Sequence, residues 1–371
     1  MMHNTFFISG GGTGGHIYPA LAVADKLIKD NNTVYYIGCR SNLEYEISKQ
    51  YSNLVFLSID FSGMPRKISL KFISWLMQLI ISWLKCIYYI KKYKPDAVFA
   101  SGGYVSAPVI FAAKTLKVPY MIHDCDSAPG LVSKIAAPGA AIVSAAFESS
   151  KKYLKSKKII INGNPVRDIF FSLTKTEARE KLNIPPDKKV IFSMGGSQGA
   201  KTINTAMTEI LKQLAEEKNF FVIMQTGGKN YDEVMQALEK IYPECRNNKN
   251  IIIRPYFDDM AYPLKSADIV VSRAGSLSLS EISQCCTPAI LVPYPYAAQD
   301  HQRQNAKEVC SRGSAVYLED SECTGANLLD KINLLDDKTL ENMRAAIKNT
   351  AEKNPADVIL KQLKSCAAAN V

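Results

Sequence analysis

Two stretches of this chain run a short apolar segment into a turn made almost wholly of small residues. Phe6–Ser9 leads into Gly10-Gly11-Gly12-Thr13-Gly14-Gly15 and then His16, and Val190–Met194 leads into Gly195-Gly196-Ser197-Gln198-Gly199. Such turns let backbone N–H groups approach an anion closely and aim a helix N-terminus at it, which is phosphate-binding chemistry. Ser197, Lys201 and Thr202 add donors around the second turn. Neither turn has Walker A spacing between glycine and lysine. Gly10, Gly12 and Gly15 fit a dinucleotide fingerprint, but the next apolar run ends in Ile37-Gly38-Cys39-Arg40, without the acid that would hold an NAD ribose. An NADP dehydrogenase therefore stays open, as does a purely structural role for either turn.

A second concentration of polar residues lies at Ser272-Arg273-Ala274-Gly275-Ser276, then Glu281, then Gln299–Asn305. His123-Asp124-Cys125-Asp126 adds an Asp-x-Asp spacing that could hold Mg²⁺ or Mn²⁺, although it arises by chance about once in a chain of this length.

The elements that must position these residues alternate. Short β-branched runs at 5–9, 33–37, 97–100, 119–122, 141–144 and 159–161, and again at 189–194, 220–225, 251–254, 269–272, 289–292 and 315–317, read as strands. Segments of helical period fill the gaps, notably 16–29, 69–92, 200–217, 231–241 and 277–285. Alternation of this kind predicts an α/β protein with parallel sheets. Each half opens with strand, glycine turn and helix, so the expectation is two doubly wound domains. The join is placed at Asn162-Gly163-Asn164-Pro165, giving domains 1–164 and 165–354. A helix over 355–371 is expected to pack back on the first.

Composition supports this size of assembly. At 371 residues, 47% hydrophobic and 22% charged, the chain is long enough for two cores. A net charge of +10 and a pI near 9.0 imply an anionic partner. The basic residues are dispersed and no nucleic-acid module is evident, which argues against nucleic acid. Nine cysteines without metal-ligand spacing read as reduced thiols. The N-terminus has no secretory pattern, so a cytoplasmic location is expected.

The ordered set GGGTGGH (from Gly10 through Gly15 to His16), SGGYVS (101–106), GNPVR (163–167), GGSQGA (195–200), RAGSLSLSE (273–281) and the His301-Gln302…Asn305-Ala306 tract resembles glycosyltransferase family 28. Within it, the likeness is to the enzymes that add N-acetylglucosamine to lipid-linked muramyl pentapeptide in peptidoglycan synthesis. The resemblance covers nearly the whole chain. It implies a GT-B fold of two Rossmann-like domains, the acceptor bound mainly by the first and UDP-N-acetylglucosamine mainly by the second. It also implies inverting transfer to a C4 hydroxyl, with neither metal nor cofactor.

By the same resemblance, Thr13, Gly14, Gly15, His16 and Tyr104 belong to the acceptor side. Ser197 and Gln198 lie at the donor diphosphate, Phe257 reads uracil through its backbone, and Arg167 lies near that pocket. Glu281 binds the ribose, a task that suits a carboxylate because it can accept from both hydroxyls. Arg273 at a strand end offsets diphosphate charge, Ser276 N–H approaches the sugar, and Gln302 and Asn305 complete its contacts. His16 is the candidate general base, since imidazole titrates nearest neutrality; a diphosphate-binding role is the alternative. Where similar proteins carry His-Glu-Gln-Asn, this chain has His123-Asp124-Cys125-Asp126, so Asp126 replaces an asparagine that meets the sugar.

A lipid-linked acceptor calls for a membrane surface. Trp75, Leu76, Leu79, Ile80 and Trp83 fall at helical spacing, with Lys67, Lys71, Lys85, Lys91 and Lys92 around them. They predict a peripheral patch on an anionic bilayer, at the cytoplasmic face of the inner membrane; a core helix is the competing reading. Two other functions remain open: a UDP-sugar transferase with another lipid acceptor, and a nucleotide-binding membrane-surface protein without turnover.

Overall fold

The computed structural model describes residues 3–65, 70–196, 198–217, 220–349 and 354–368. Ser197 and Lys67 lie outside the described residues. The chain divides into two compact units, 1–167 with 353–371, and 168–352. The division thus falls after Arg167 rather than after Asn164, which keeps Arg167 with the first unit.

The first unit is built on seven parallel strands: β1 Thr5–Ser9, β2 Thr33–Gly38, β3 Leu54–Ser58, β4 Ala97–Ala100, β5 Tyr120–Asp124, β6 Ile142–Ala145 and β7 Ile159–Ile161. Their order is β3-β2-β1-β4-β5-β6-β7, so the winding reverses between β1 and β4. Crevices for ligands open at such a reversal, outside the carboxyl ends of the strands. β3 is the one strand absent from the sequence reading. It sits at the sheet edge with Val55 exposed, so its apolar signal is weak.

Alternate residues of β1 serve opposite faces. Phe6 and Ile8 pack with the helices Gly14–Lys29 and Pro355–Ala368, while Phe7 packs on the side of Leu70–Tyr93 and Ser106–Thr115. The C-terminal helix joins this unit through Ala356, Ile359 and Leu363, all fully buried. Asp357 pairs with Lys26 at 3.0 Å, and Lys364 pairs with Asp30.

The second unit has six parallel strands: β8 Lys189–Met194, β9 Phe220–Gln225, β10 Ile251–Arg254, β11 Ile269–Ser272, β12 Ala289–Leu291 and β13 Ala315–Tyr317. Their order, β10-β9-β8-β11-β12-β13, reverses between β8 and β11. Asp268, at the start of β11, binds Lys175, Arg179 and Arg344 and also accepts the Val190 N–H at 2.8 Å. One buried carboxylate thereby ties two strands to two flanking helices.

Candidate active site

In the first unit the turn after β1 and the turn after β4 clasp each other at the winding reversal. His16 Nδ1 lies 3.0 Å from the Ser101 carbonyl, and the Ser101 hydroxyl donates to the His16 carbonyl at 2.5 Å. A carbonyl only accepts, so Nδ1 carries a proton, and in the neutral ring the lone pair is on Nε2. This is the tautomer a general base needs. Glycine is required where the turns meet. At Gly103, with φ +76°, a Cβ would fall 2.1 Å from the Gly11 carbonyl oxygen, and at Gly102, with φ +98°, it would fall 3.0 Å from His16 Nδ1.

Thr13 is exposed at the N-cap of the helix Gly14–Lys29 and accepts His16 N–H through its backbone carbonyl at 3.1 Å. Its side chain makes no capping bond to the helix. Tyr104 lies over Gly12, where a Cβ would meet its ring at 2.9 Å, and its hydroxyl accepts from Asn42 at 3.0 Å.

Beneath the turn are two residues that the sequence did not single out. The Tyr36 hydroxyl donates to the Gly10 carbonyl. Glu44, fully buried, accepts from the Cys39 N–H and from Asn42 Nδ2, both at 3.2 Å, while its Oε2 has no hydrogen-bond partner among the described residues. From sequence Glu44 reads as an ordinary first-turn helix acid; only folding carries it under Gly11.

The His123-Asp124-Cys125-Asp126 run is structural at its histidine. Asn164 Nδ2 donates to the Cys125 carbonyl, so its Oδ1 accepts from His123 Nε2 at 2.8 Å. His123 Nδ1 then accepts from the Ser144 hydroxyl at 2.9 Å, and Ser144 in turn accepts from Asn162. Both ring nitrogens are committed, and burial pushes the imidazole down to about 4. Asp124 is buried, its carboxyl raised by desolvation, and it accepts the Asp126 N–H at 3.2 Å. Asp126 itself is half-buried at the carboxyl end of β5. Arg167, half-buried, ends the N-terminal segment of the first unit.

The second unit also carries a glycine turn after β8, which packs here on the end of β9. A Cβ on Gly195 would fall 2.1 Å from Ala200 N, and one on Gly199, at φ +77°, 1.9 Å from the Thr226 carbonyl oxygen. The turn therefore folds tightly onto both its own helix and the end of β9, leaving Gln198 exposed. Ser276 begins the helix Ser276–Gln284 and is nearly buried, while Glu281 is half-buried further along it. Asn305 is fully buried and donates to the Ala274 carbonyl at 3.2 Å, pinning the start of that helix. Gln302 Oε1 accepts the Tyr294 N–H at 3.0 Å. Just before it, Gln299 and Asp300 both hold left-handed φ values, 53° and 56°, a costly pair for residues with side chains.

Two of the expected donor-side residues are engaged within the unit. Arg273 does not present a free charge for a diphosphate. It is buried, and NH1 donates to the Val292 and Pro293 carbonyls at 3.1 and 3.2 Å and to Asp320 at 2.5 Å. Its charge is neutralised inside the unit, where it braces the end of β12. Phe257 is also engaged, since its N–H donates to Gln225 Oε1 at 3.0 Å. Any base contact through the Phe257 backbone therefore falls to its carbonyl.

The apolar patch is shifted in phase. Trp75, Leu79 and Trp83 face the core, with Trp75 Nε1 donating to the Ser62 carbonyl at 3.1 Å. The outward stripe of the helix Leu70–Tyr93 is Leu70, Ile73, Leu76, Met77, Ile80, Ile81, Leu84 and Tyr88. Of the expected five, Leu76 and Ile80 belong to it. By length and composition this helix is apolar enough to cross a bilayer, yet one flank is packed on the sheet domain.

Two doubly wound parallel-sheet units, each with a glycine turn at its winding reversal, make up the GT-B architecture of nucleotide-sugar glycosyltransferases. Residues 6–144 match the glycosyltransferase family 28 N-terminal domain and residues 190–363 match the family 28 C-terminal domain. The chain belongs to glycosyltransferase family 28. It is 38% identical over 341 residues, 91% of each chain, to a UDP-N-acetylglucosamine–N-acetylmuramyl-(pentapeptide) pyrophosphoryl-undecaprenol N-acetylglucosamine transferase of Desulforamulus reducens. It is 33% identical to the protein of the same description from Caldanaerobacter subterraneus, covering 97% of this chain and 99% of that one. The crystal structure of Acinetobacter baumannii MurG superposes with a TM-score of 0.76 at 26% identity, over 98% of this chain and 99% of that one.

Proposed function

We propose that this protein transfers N-acetylglucosamine from UDP-N-acetylglucosamine to the C4 hydroxyl of undecaprenyl-diphospho-N-acetylmuramoyl-pentapeptide, with inversion. The observation that carries the mechanism is the locked tautomer of His16 at the crossing of two glycine turns. The acceptor hydroxyl attacks the anomeric carbon as the bond to the diphosphate oxygen breaks, through an oxocarbenium-like transition state. His16 Nε2 takes the hydroxyl proton, and UDP leaves with the electron pair of the broken bond. Backbone donors of the second glycine turn and the start of the helix Ser276–Gln284 stabilise the departing diphosphate, in place of Arg273. Glu281 accepts from the ribose hydroxyls, and Gln302, with Oε1 held by Tyr294 N–H, keeps its amide free to donate to the sugar.

The enzyme works as a peripheral protein on the anionic cytoplasmic face of the inner membrane. The exposed apolar stripe of Leu70–Tyr93 supports this reading, because a water-exposed row of that length has no function within the unit. Radiolabelled UDP-N-acetylglucosamine incubated with a short-chain lipid-linked muramyl pentapeptide should yield labelled lipid product. Transfer only to another lipid, such as diacylglycerol, or no transfer at all, would overturn the assignment.

A further inference from the structure

The helices Leu70–Tyr93, Ser106–Thr115 and Leu131–Ala136 form one layer on one face of the first sheet. Cys86 and Ile90, Val109 and Ala113, and Ala136 share a single core cluster with Val98, Ile122 and Val143. The outer surface of this layer is apolar at two places, of which the long helix is one. The other is the short helix, where Leu131 is 57% and Ile135 53% exposed, one turn apart, while Ser133 and Ala136 are buried. Beside them stands exposed Tyr153, with Lys134 Nζ 5.2 Å and Lys152 Nζ 4.8 Å from its ring centroid. Lys155, Lys157 and Lys158 are exposed in the same connection between β6 and β7. A single exposed leucine needs no explanation. Paired aliphatics beside an aromatic that carries two lysines against its ring have the composition of an interfacial anchor on anionic lipid.

Position strengthens the case. All the strands of the sheet are parallel, so the chain leaves β3 and β5 on the same edge as β1 and β4. Leu70 follows β3 and Leu131 follows β5, while β2, β1 and β4 lie between those two strands. The two apolar places therefore begin at the edge that carries Gly10–His16 and Ser101–Tyr104, on either side of the reversal. One contact alone would leave the unit free to roll about the long helix.

We propose that the helix Leu131–Ala136, with Tyr153 and its lysines, is a second contact with an anionic bilayer, fixing the orientation in which the glycine turns meet the lipid headgroups. This rests on the membrane reading of the long helix. The test uses the full-length protein and sedimentation with vesicles of equimolar phosphatidylglycerol and phosphatidylcholine. Leu131→Ser with Ile135→Ser should weaken partitioning roughly tenfold, as expected for withdrawing two aliphatic side chains from the interface. UDP-N-acetylglucosamine affinity should stay at the wild-type value, which also shows that the variant is folded. The KM for full-length acceptor in vesicles should rise, while that for a short-chain soluble acceptor should not. Lys134→Glu with Lys152→Glu, which spares the aliphatics, should weaken partitioning in the same direction. Ile73→Ser with Met77→Ser serves as the comparison. If that pair abolishes binding while the Leu131 and Lys134 pairs bind like wild type, the second contact is wrong and the first stands. If all variants bind like wild type, the membrane reading itself falls.

Discussion

His16 and Ser101 hold each other through reciprocal bonds: the histidine ring donates to the Ser101 carbonyl at 3.0 Å, and the Ser101 hydroxyl donates to the His16 carbonyl at 2.5 Å. A residue at the start of a helix is thereby fixed in tautomer and direction by a turn that arrives from another strand. His16→Ala should lower kcat by roughly 10² to 10⁴ with little change in UDP affinity, the scale of a lost general base. A change confined to acceptor KM would instead assign His16 to diphosphate binding. Gly102→Ala should also lower kcat, because its Cβ would press on His16 Nδ1 from a left-handed backbone position.

Glu281→Ala should weaken UDP-N-acetylglucosamine binding by roughly 1.5–3 kcal/mol, the usual worth of hydrogen bonds to a charged group. Isothermal titration with UDP alone checks this, because the ribose is common to both ligands. Unchanged affinity would remove Glu281 from the nucleotide site.

Arg273→Ala should act on stability rather than selectively on the donor. Breaking a largely buried pair by removing one partner costs roughly 3 kcal/mol, and Asp320→Ala should cost a similar amount. The double variant should lose less than the sum, as measured by denaturant unfolding. A stable Arg273→Ala protein with strongly raised donor KM would restore the diphosphate role.

Acid should weaken the first unit through His123. Its ordinary value is 6.5 and burial lowers it to about 4 in the fold. Above 6.5 it is neutral whether folded or unfolded. Between 6.5 and 4 only the unfolded chain takes up the proton, so stability falls as pH drops through that window. His123→Gln should melt earlier at neutral pH yet lose less on acidification. Equal pH slopes in the two proteins would refute this account.

Asp126→Ala should relax discrimination against UDP-N-acetylgalactosamine, since an ionised carboxylate accepts from a sugar hydroxyl and alanine cannot. Competition between the two donors provides the measurement. Activity lost to a chelator and restored by Mn²⁺ would instead make the Asp124 and Asp126 carboxylates a metal site.

Much of this protein is local and therefore legible in the chain itself. Both glycine turns, the strands on either side of them and the alternation that makes two parallel sheets follow from residue type and spacing, because backbone conformation at glycine and apolar period are short-range properties. His16 could be named for the same reason. Other features were decided by residues distant in sequence. The tautomer of His16 depends on Ser101, the tautomer of His123 on Ser144 and Asn164, and the inward turn of Arg273 on Asp320. Helical spacing showed that Leu70–Tyr93 has an apolar surface but not which flank the sheet would cover. Tertiary packing laid Trp75, Leu79 and Trp83, partly buried, against the core and left Ile73, Met77 and Ile80 facing out. A helix apolar nearly all round carries no phase of its own, so only its neighbours can choose one.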